Sequence, residues 1–508
     1  MKFAAKQKNI DRLLAHAAQL YRTGDRTAAI RLYERAIVEV PRHAAPHNFL
    51  GLAYAQQGEL ERAVPFLEKA IALDPQLPSC QYNLGTILQK LKRYDDALRQ
   101  YERALAQQPG DPEIHSNVGT VLRALGRADE AIVHFRKAVE LDPRFVAAHF
   151  NLGNALFELL RHEEAYAAFA AALAMKPDFT EAHASAAYAL AGLKRYNEAL
   201  FHFDRAIALK ADSAKIHLDR GRVLFWLYRH AEAVASYERA LLLQPELPEA
   251  LIGSAAALNR MDRFGEAAEY CQRVLAHSPD DIAAKSNLAN ALWGLRKYDE
   301  AFALAQQLLT REPNLASAHF TLASVLESLD RADEAIQSYK IALESSPDDA
   351  LGQLSKGLCD LSLGHLTEGW PLFENRWYAC SAPPRPYPQP QWDGRPLSGP
   401  LLVWGEQGIG DQVLFSSMIK DLRARVPSLR FEAADRLVPL FTRSFPDVEV
   451  VPIGPDLHAG PFAAHIALGS IGRHVRSDWG SFKRPPPAYL KADASRVGLQ
   501  IGGRRSLE

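Results

Sequence analysis

The seven residues GEQGIGD, positions 405–411, bring three glycines, two carboxylates and an amide into one short turn. Glycine lets a backbone approach a ligand closely, and a helix N-terminus behind such a turn favours an anionic or polar group. Gly405, Glu406, Gln407, Gly408 and Gly410 are therefore the candidate ligand-binding loop. Asp411 closes it and has two readings: a general base facing the loop, or an aspartate that caps the helix behind it. The spacing is GxxGxG, not the GxGxxG of dinucleotide sites, and no Walker lysine follows.

A second polar set recurs at long intervals. Asn83, Asn117 and Asn151 stand 34 residues apart, and Asn287 falls on the same grid. An amide donates and accepts at once, which suits an extended peptide backbone; the alternative is local bonding between helices. Phe49, Ser185, Asp219, Gly253 and Thr321 interrupt the ladder, so only the third to fifth units are expected to be competent. Histidine recurs too, at His47, His115, His149, His183, His217 and His319. That spacing sends successive rings to different stacked units, so interior packing is expected rather than a metal or proton relay. Cys80, Cys271, Cys359 and Cys380 lie far apart, with no CxxC pair and no zinc-ligand spacing. Buried free thiols in a reducing compartment are expected, with no metal site and no cofactor.

The elements that carry these residues are set by a 34-residue period. Pro41, Pro75, Pro109, Pro143 and Pro177 keep it; Ala211 interrupts, and Pro245, Pro279, Pro313 and Pro347 resume it. Alanine follows without exception from Ala29, Ala63 and Ala97 to Ala335, ten positions in phase. Twelve residues before each alanine stands another small residue, as at Gly51, Gly85, Gly119 and Gly153. Two antiparallel helices approach closely only where side chains are small, so these positions mark the crossing within a helical hairpin. The large residue four after the alanine, such as Tyr101, Phe135 or Phe169, is expected to fill the gap toward the next unit. Proline ends the second helix. A hairpin this small cannot bury its own apolar face, so units stack and share a core.

This pattern resembles the tetratricopeptide repeat, over residues 10 to about 349. The resemblance implies a right-handed α-solenoid of about ten hairpins across residues 1–349, with the first helix of each lining a concave surface. The repeats look most like those attached to O-linked N-acetylglucosamine transferase, where an asparagine ladder holds substrate polypeptide. Asn83, Asn117, Asn151 and Asn287 are thus the candidate peptide-binding set, and a protein or peptide in the groove is the expected partner. The histidines occupy the place of a packing aromatic in that family. The clustered Lys, Arg and Asn of carboxylate-clamping members are not found. A degenerate capping hairpin is expected over 350–381, ending in GWPLFENRW.

Composition changes after Trp377. Seven prolines between Ala382 and Pro400 predict a stiff linker or an ordered extended wrap over 382–400. LLVW at 401–404, then the glycine turn, then an apolar-periodic stretch from Gln412 to Val426 read as strand, turn and helix. Further runs at Leu429–Ala433, Val448–Val451 and His465–Leu468 predict a small parallel α/β layer within 401–508. Residues 392–419, WDGRPLSGPLLVWGEQGIGDQVLFSSMI, are similar to the start of a glycosyltransferase-like module related to heptosyltransferases. Those enzymes have two Rossmann-like halves, and the resemblance implies Gly410 and Asp411 as the glycine–aspartate turn with its base. Two departures accompany it. The chain stops at Glu508, about where relatives begin the nucleotide-sugar half, and Ala463–Gly472 lacks the aspartate and both prolines of the matching segment.

The 508 residues carry 59 basic and 60 acidic side chains, so no global charge draws the chain to nucleic acid or anionic membrane. No run reaches the roughly 18 apolar residues of a membrane span, and the N-terminus lacks a signal-peptide core. A soluble cytoplasmic protein is expected. Its fold class is mainly α, a repeat solenoid with a small C-terminal α/β half domain. Its expected function is peptide binding on a scaffold; the alternative is sugar transfer from a nucleotide donor to an acceptor held by the repeats.

Overall fold

The computed structural model describes residues 2–77, 79–209, 213–379, 384–406, 408–454, 461–481 and 489–491. The chain is a mainly helical solenoid of paired helices followed by a small α/β region, and it divides into two compact units, Met1–Pro245 and Glu246–Glu508.

The first unit is a run of hairpins. The third to sixth are Cys80–Lys90 with Tyr94–Gln107, Pro112–Ala124 with Ala128–Leu141, Val146–Glu158 with His162–Met175, and Thr180–Gly192 with Tyr196–Ala208. Their second helices start with an alanine face: Ala97, Ala131, Ala165 and Ala199 are all fully buried. The aromatic four residues later has a partner inside its own hairpin. It lies over the small residue of its own hairpin: a Cβ built on Gly119 would be 2.8 Å from Phe135, and one on Gly153 would be 2.5 Å from Phe169. The glycine and the ring form one packed pair inside the hairpin, beside contacts to the next unit such as that of Tyr33 with Phe49. A small residue is required there by space: glycine in the third to fifth hairpins, and alanine at the equivalent Ala187 in the sixth.

The turn inside each hairpin passes through one left-handed residue, again every 34 positions. Gly24, Gly58 and Gly126 fill it, but so do Lys92, Leu160, Lys194 and Tyr228. A side chain there carries a backbone cost of order 1–2 kcal/mol, which the packed helices on either side override. The prolines act as expected, ending second helices, and aspartate often starts the next: Asp111 accepts from the amides of Glu113 and Ile114.

The second unit continues with hairpins and ends in a sheet. β1 (Leu401–Trp404), β2 (Leu429–Ala433), β3 (Glu449–Pro452) and β4 (Ala464–Ala467) pair in the order β3-β2-β1-β4, all parallel. The last two runs fall one residue from their predicted places. The predicted long helix after the glycine turn is two short ones, Ile409–Ser416 and Ile419–Arg423. The proline-rich stretch is an extended wrap: the Trp392 amide donates to the His465 carbonyl at 2.8 Å, and the His465 amide to that of Pro390 at 3.1 Å. The described residues of that stretch thereby extend the sheet beyond β4. The hairpin Ala350–Ser362 with Leu366–Phe373 joins the sheet's own core through Leu366, Trp370 and Phe373. Trp370 Nε1 donates to the Arg476 carbonyl at 2.8 Å, 106 residues away.

Candidate functional site

The first helices of neighbouring hairpins touch, so those of the third, fourth and fifth form one continuous face. Asn83, Asn117 and Asn151 take the same place on it, each half-buried. Their amides are not equivalent. Asn117 Nδ2 donates to Tyr82 Oη at 3.1 Å, and that hydroxyl donates to Glu113 Oε2 at 3.5 Å. The side-chain amides of Asn83 and Asn151 have no hydrogen-bond partner among the described residues. Asn287 lies in the second unit and donates to the Ala283 carbonyl of its own helix at 2.9 Å. In the seventh hairpin, helix Ala214–Trp226 puts Asp219 at the ladder position. It accepts from Arg222 at 2.9 Å, and burial raises its carboxyl above the usual range while Arg222 opposes the shift. The ladder thus offers two unengaged amides, while the third is held by Tyr82, a residue the sequence reading missed.

The histidines have a local task. His115, His149, His183 and His319 each turn Nε2 onto the carbonyl of the proline six residues earlier, Pro109, Pro143, Pro177 and Pro313, at 2.8–3.1 Å. His47 does the same to Pro41 at 3.2 Å, and Gln81 to Pro75 at 2.5 Å. A proline that ends one helix leaves a carbonyl without a helical donor, and this ring supplies one. His47, His183, His217 and His319 are buried. The six-residue proline-to-histidine spacing was the available signal for this contact. Among the described residues no group of three or more His, Cys, Asp or Glu could hold a metal ion. Cys80, Cys271 and Cys359 are buried free thiols; Cys380 lies outside the described residues.

The glycine loop follows β1 at the carboxyl edge of the parallel sheet, beside the turn after β4. In a sheet of this order, that gap between strands running to opposite sides is where ligands enter. Here it is filled from within. Arg376 Nη2 donates to Glu406 Oε2 at 2.9 Å and to Ser470 Oγ at 2.7 Å, and the Gly469 amide donates to Glu406 Oε1 at 2.6 Å. Both charged side chains are about 95% or more buried, and burial raises the Glu406 carboxyl even with the guanidinium against it. The Phe373 and Trp377 rings flank Arg376. Gly405 is held close: its amide donates to the Glu432 carbonyl at 2.9 Å, and a Cβ there would press on Gln412. Gly408, not Asp411, stands at the N-cap of Ile409–Ser416. Gly410 faces open space, and Asp411 is exposed one residue further into the first turn. Gln407 lies outside the described residues.

Residues 14–78, 82–144, 119–178, 150–214 and 286–350 match the family described as Tetratricopeptide repeat, and 258–301 match a second family of that description. Over 112 residues the chain is 41% identical to Protein FlbA of Caulobacter vibrioides, covering 21% of this chain and only 19% of that relative's length. Among solved structures, YrrB, described as a TPR protein with an unusual peptide-binding site, is 28% identical at a TM-score of 0.33, over 35% of this chain and 93% of that one. MamA from Desulfovibrio magneticus RS-1 is 24% identical at a TM-score of 0.32, over 34% of this chain and 96% of that one. For pilF of Pseudomonas aeruginosa the figures are 22% identity, TM-score 0.37, and 41% and 94%.

Proposed function

This chain belongs to the tetratricopeptide repeat family, and from that premise we propose that it is a scaffold binding an extended polypeptide along the first-helix face of residues 80–158. The observation that carries the reading is the pair of half-buried amides, Asn83 and Asn151, without partners among the described residues. A half-buried amide loses part of its water, and an extended backbone returns both a donor and an acceptor to it. The expected compartment is the cytoplasm, supported by the free thiols. Selection of random displayed peptides on the full chain tests the proposal. Enriched peptides should slow amide exchange in helices Cys80–Lys90, Pro112–Ala124 and Val146–Glu158. Protection confined to other residues would remove the reading.

One observation supports the second reading, sugar transfer: Asp411 is exposed at the carboxyl edge of a parallel sheet, and in that reading it takes a proton from an acceptor hydroxyl. In that reading Gly408 and Gly410 shape the ligand's approach, and the nucleotide sugar is held outside the gap that Arg376 fills. Calorimetric titration with a panel of nucleotide sugars decides it. Saturable binding that Asp411→Asn leaves intact while abolishing turnover would support it, and absence of binding to the folded chain would end it.

A further inference from the structure

Two hairpins of the first unit carry a feature that neither repeat packing nor the peptide face uses. His115 on Pro112–Ala124 faces His134 on Ala128–Leu141, Nδ1 to Nδ1 at 3.2 Å. Two hairpins later, His183 faces His202 in the same way at 2.9 Å. Each pair is separated by 19 residues and joins the two helices of one hairpin.

The outer nitrogens decide the chemistry. His115 Nε2 and His183 Nε2 lie on the carbonyls of Pro109 and Pro177, at 3.1 and 2.9 Å. A carbonyl only accepts, so each of these rings carries its hydrogen on Nε2. Its Nδ1 therefore presents a lone pair to the partner ring. A histidine that ligates a metal is held in the same way, with its other N–H on a carbonyl that fixes tautomer and ring angle. Burial and the facing imidazole keep His134 and His202 neutral, so they too have a lone pair to offer. Each has a carboxylate one turn earlier, Glu130 or Glu198, that favours positive charge at the ring.

We propose that His115 with His134, and His183 with His202, are two bis-imidazole sites for a borderline divalent transition-metal ion such as Zn²⁺. Two nitrogens bound to tetrahedral zinc at about 2.05 Å stand about 3.3 Å apart, so the nitrogens separate by a few tenths of an ångström and each ring turns to aim its lone pair at the shared ion. The remaining ligands are water, since the described residues offer no third protein ligand. On binding, His134 and His202 move their hydrogen from Nδ1 to Nε2 through solvent, so the neutral pair loses no net proton. The fifth hairpin is a built-in control. His149 makes the same bond to Pro143, at 3.0 Å, but Ala168 stands 19 residues on, and no pair forms.

Calorimetric titration of the full chain with ZnCl₂ at pH 7.5 tests this. The expected result is two saturable sites, one in either His134→Ala or His202→Ala and none in the double variant, with circular dichroism unchanged. Zinc uptake that is absent, or equal in the parent and the double variant, overturns it. Ala168→His supplies a test that removes nothing: a third site is expected, and an unchanged stoichiometry in a folded protein counts against the proposal.

Discussion

The first-helix face of the third to fifth hairpins and the glycine loop after β1 both set polar side chains where a ligand would meet them. They dispose of those side chains in opposite ways. On the helical face, two of three asparagine amides keep unused hydrogen-bonding capacity, because their neighbours along the helix are repeat positions committed to packing. In the sheet, Glu406 meets Arg376, Ser470 sits beside them, and the gap closes on itself. A carboxylate in a glycine-rich turn is a binding residue only if the fold leaves it without a partner. Glu406 therefore has a structural duty, and the proposal of recognition rests on the hairpins.

The largest effect that tests this contrast is expected from Arg376→Ala. It strands Glu406 without its buried counter-charge and should cost about 3–5 kcal/mol in denaturant unfolding of the second unit. A loss near zero would mean that Glu406 is free to serve a ligand. Within the hairpins, Gly153→Ala should lose about 1–3 kcal/mol from overpacking against Phe169, of which about 1 kcal/mol is returned by better helix propensity. Stabilisation by this change would show that the glycine–ring pair is looser than described.

These two sites also show what a sequence discloses. The contacts of Gly153, Ala165 and Phe169 lie within one repeat, and their period announces them. The proline-to-histidine bond, six residues long, is equally local, though its polarity hides it behind the packing role that the family assigns to that position. Arg376 to Glu406 spans 30 residues and Trp370 to Arg476 spans 106, with no period to mark either. Asparagine recurrence marks three equivalent positions on neighbouring first helices, yet it could not separate Asn117, held by Tyr82, from Asn83 and Asn151. That distinction rests on side-chain partners across hairpins.

Smaller effects sharpen the contrast from the hairpin side. Burial, then the facing His183, push His202 down to about 4 from an ordinary value near 6.5, against the pull of Glu198; burial, then His115, also lower His134. The folded state thus resists a proton that the unfolded chain accepts. Stability should be full above pH 6.5 and fall progressively between about pH 6.5 and pH 4. His134→Gln with His202→Gln should flatten that part of the stability curve; an unaltered slope would show that other groups cause it. Smallest of all, Leu160→Gly should relieve a left-handed leucine that is 74% exposed, raising stability by about 0.5–1 kcal/mol. A loss in thermal unfolding would show that Leu160 earns its place through packing.

The central claim rests on two amides, and the affinity of one selected peptide for three proteins tests it most directly. Two hydrogen bonds of about 1 kcal/mol each predict that Asn83→Ala with Asn151→Ala raises Kd about tenfold or more at unchanged helical content. Asn287→Ala, whose amide is satisfied within its own helix, should leave Kd at the parent value. Equal Kd for the double variant and the parent would contradict the account, and recognition would then have to be sought on another face.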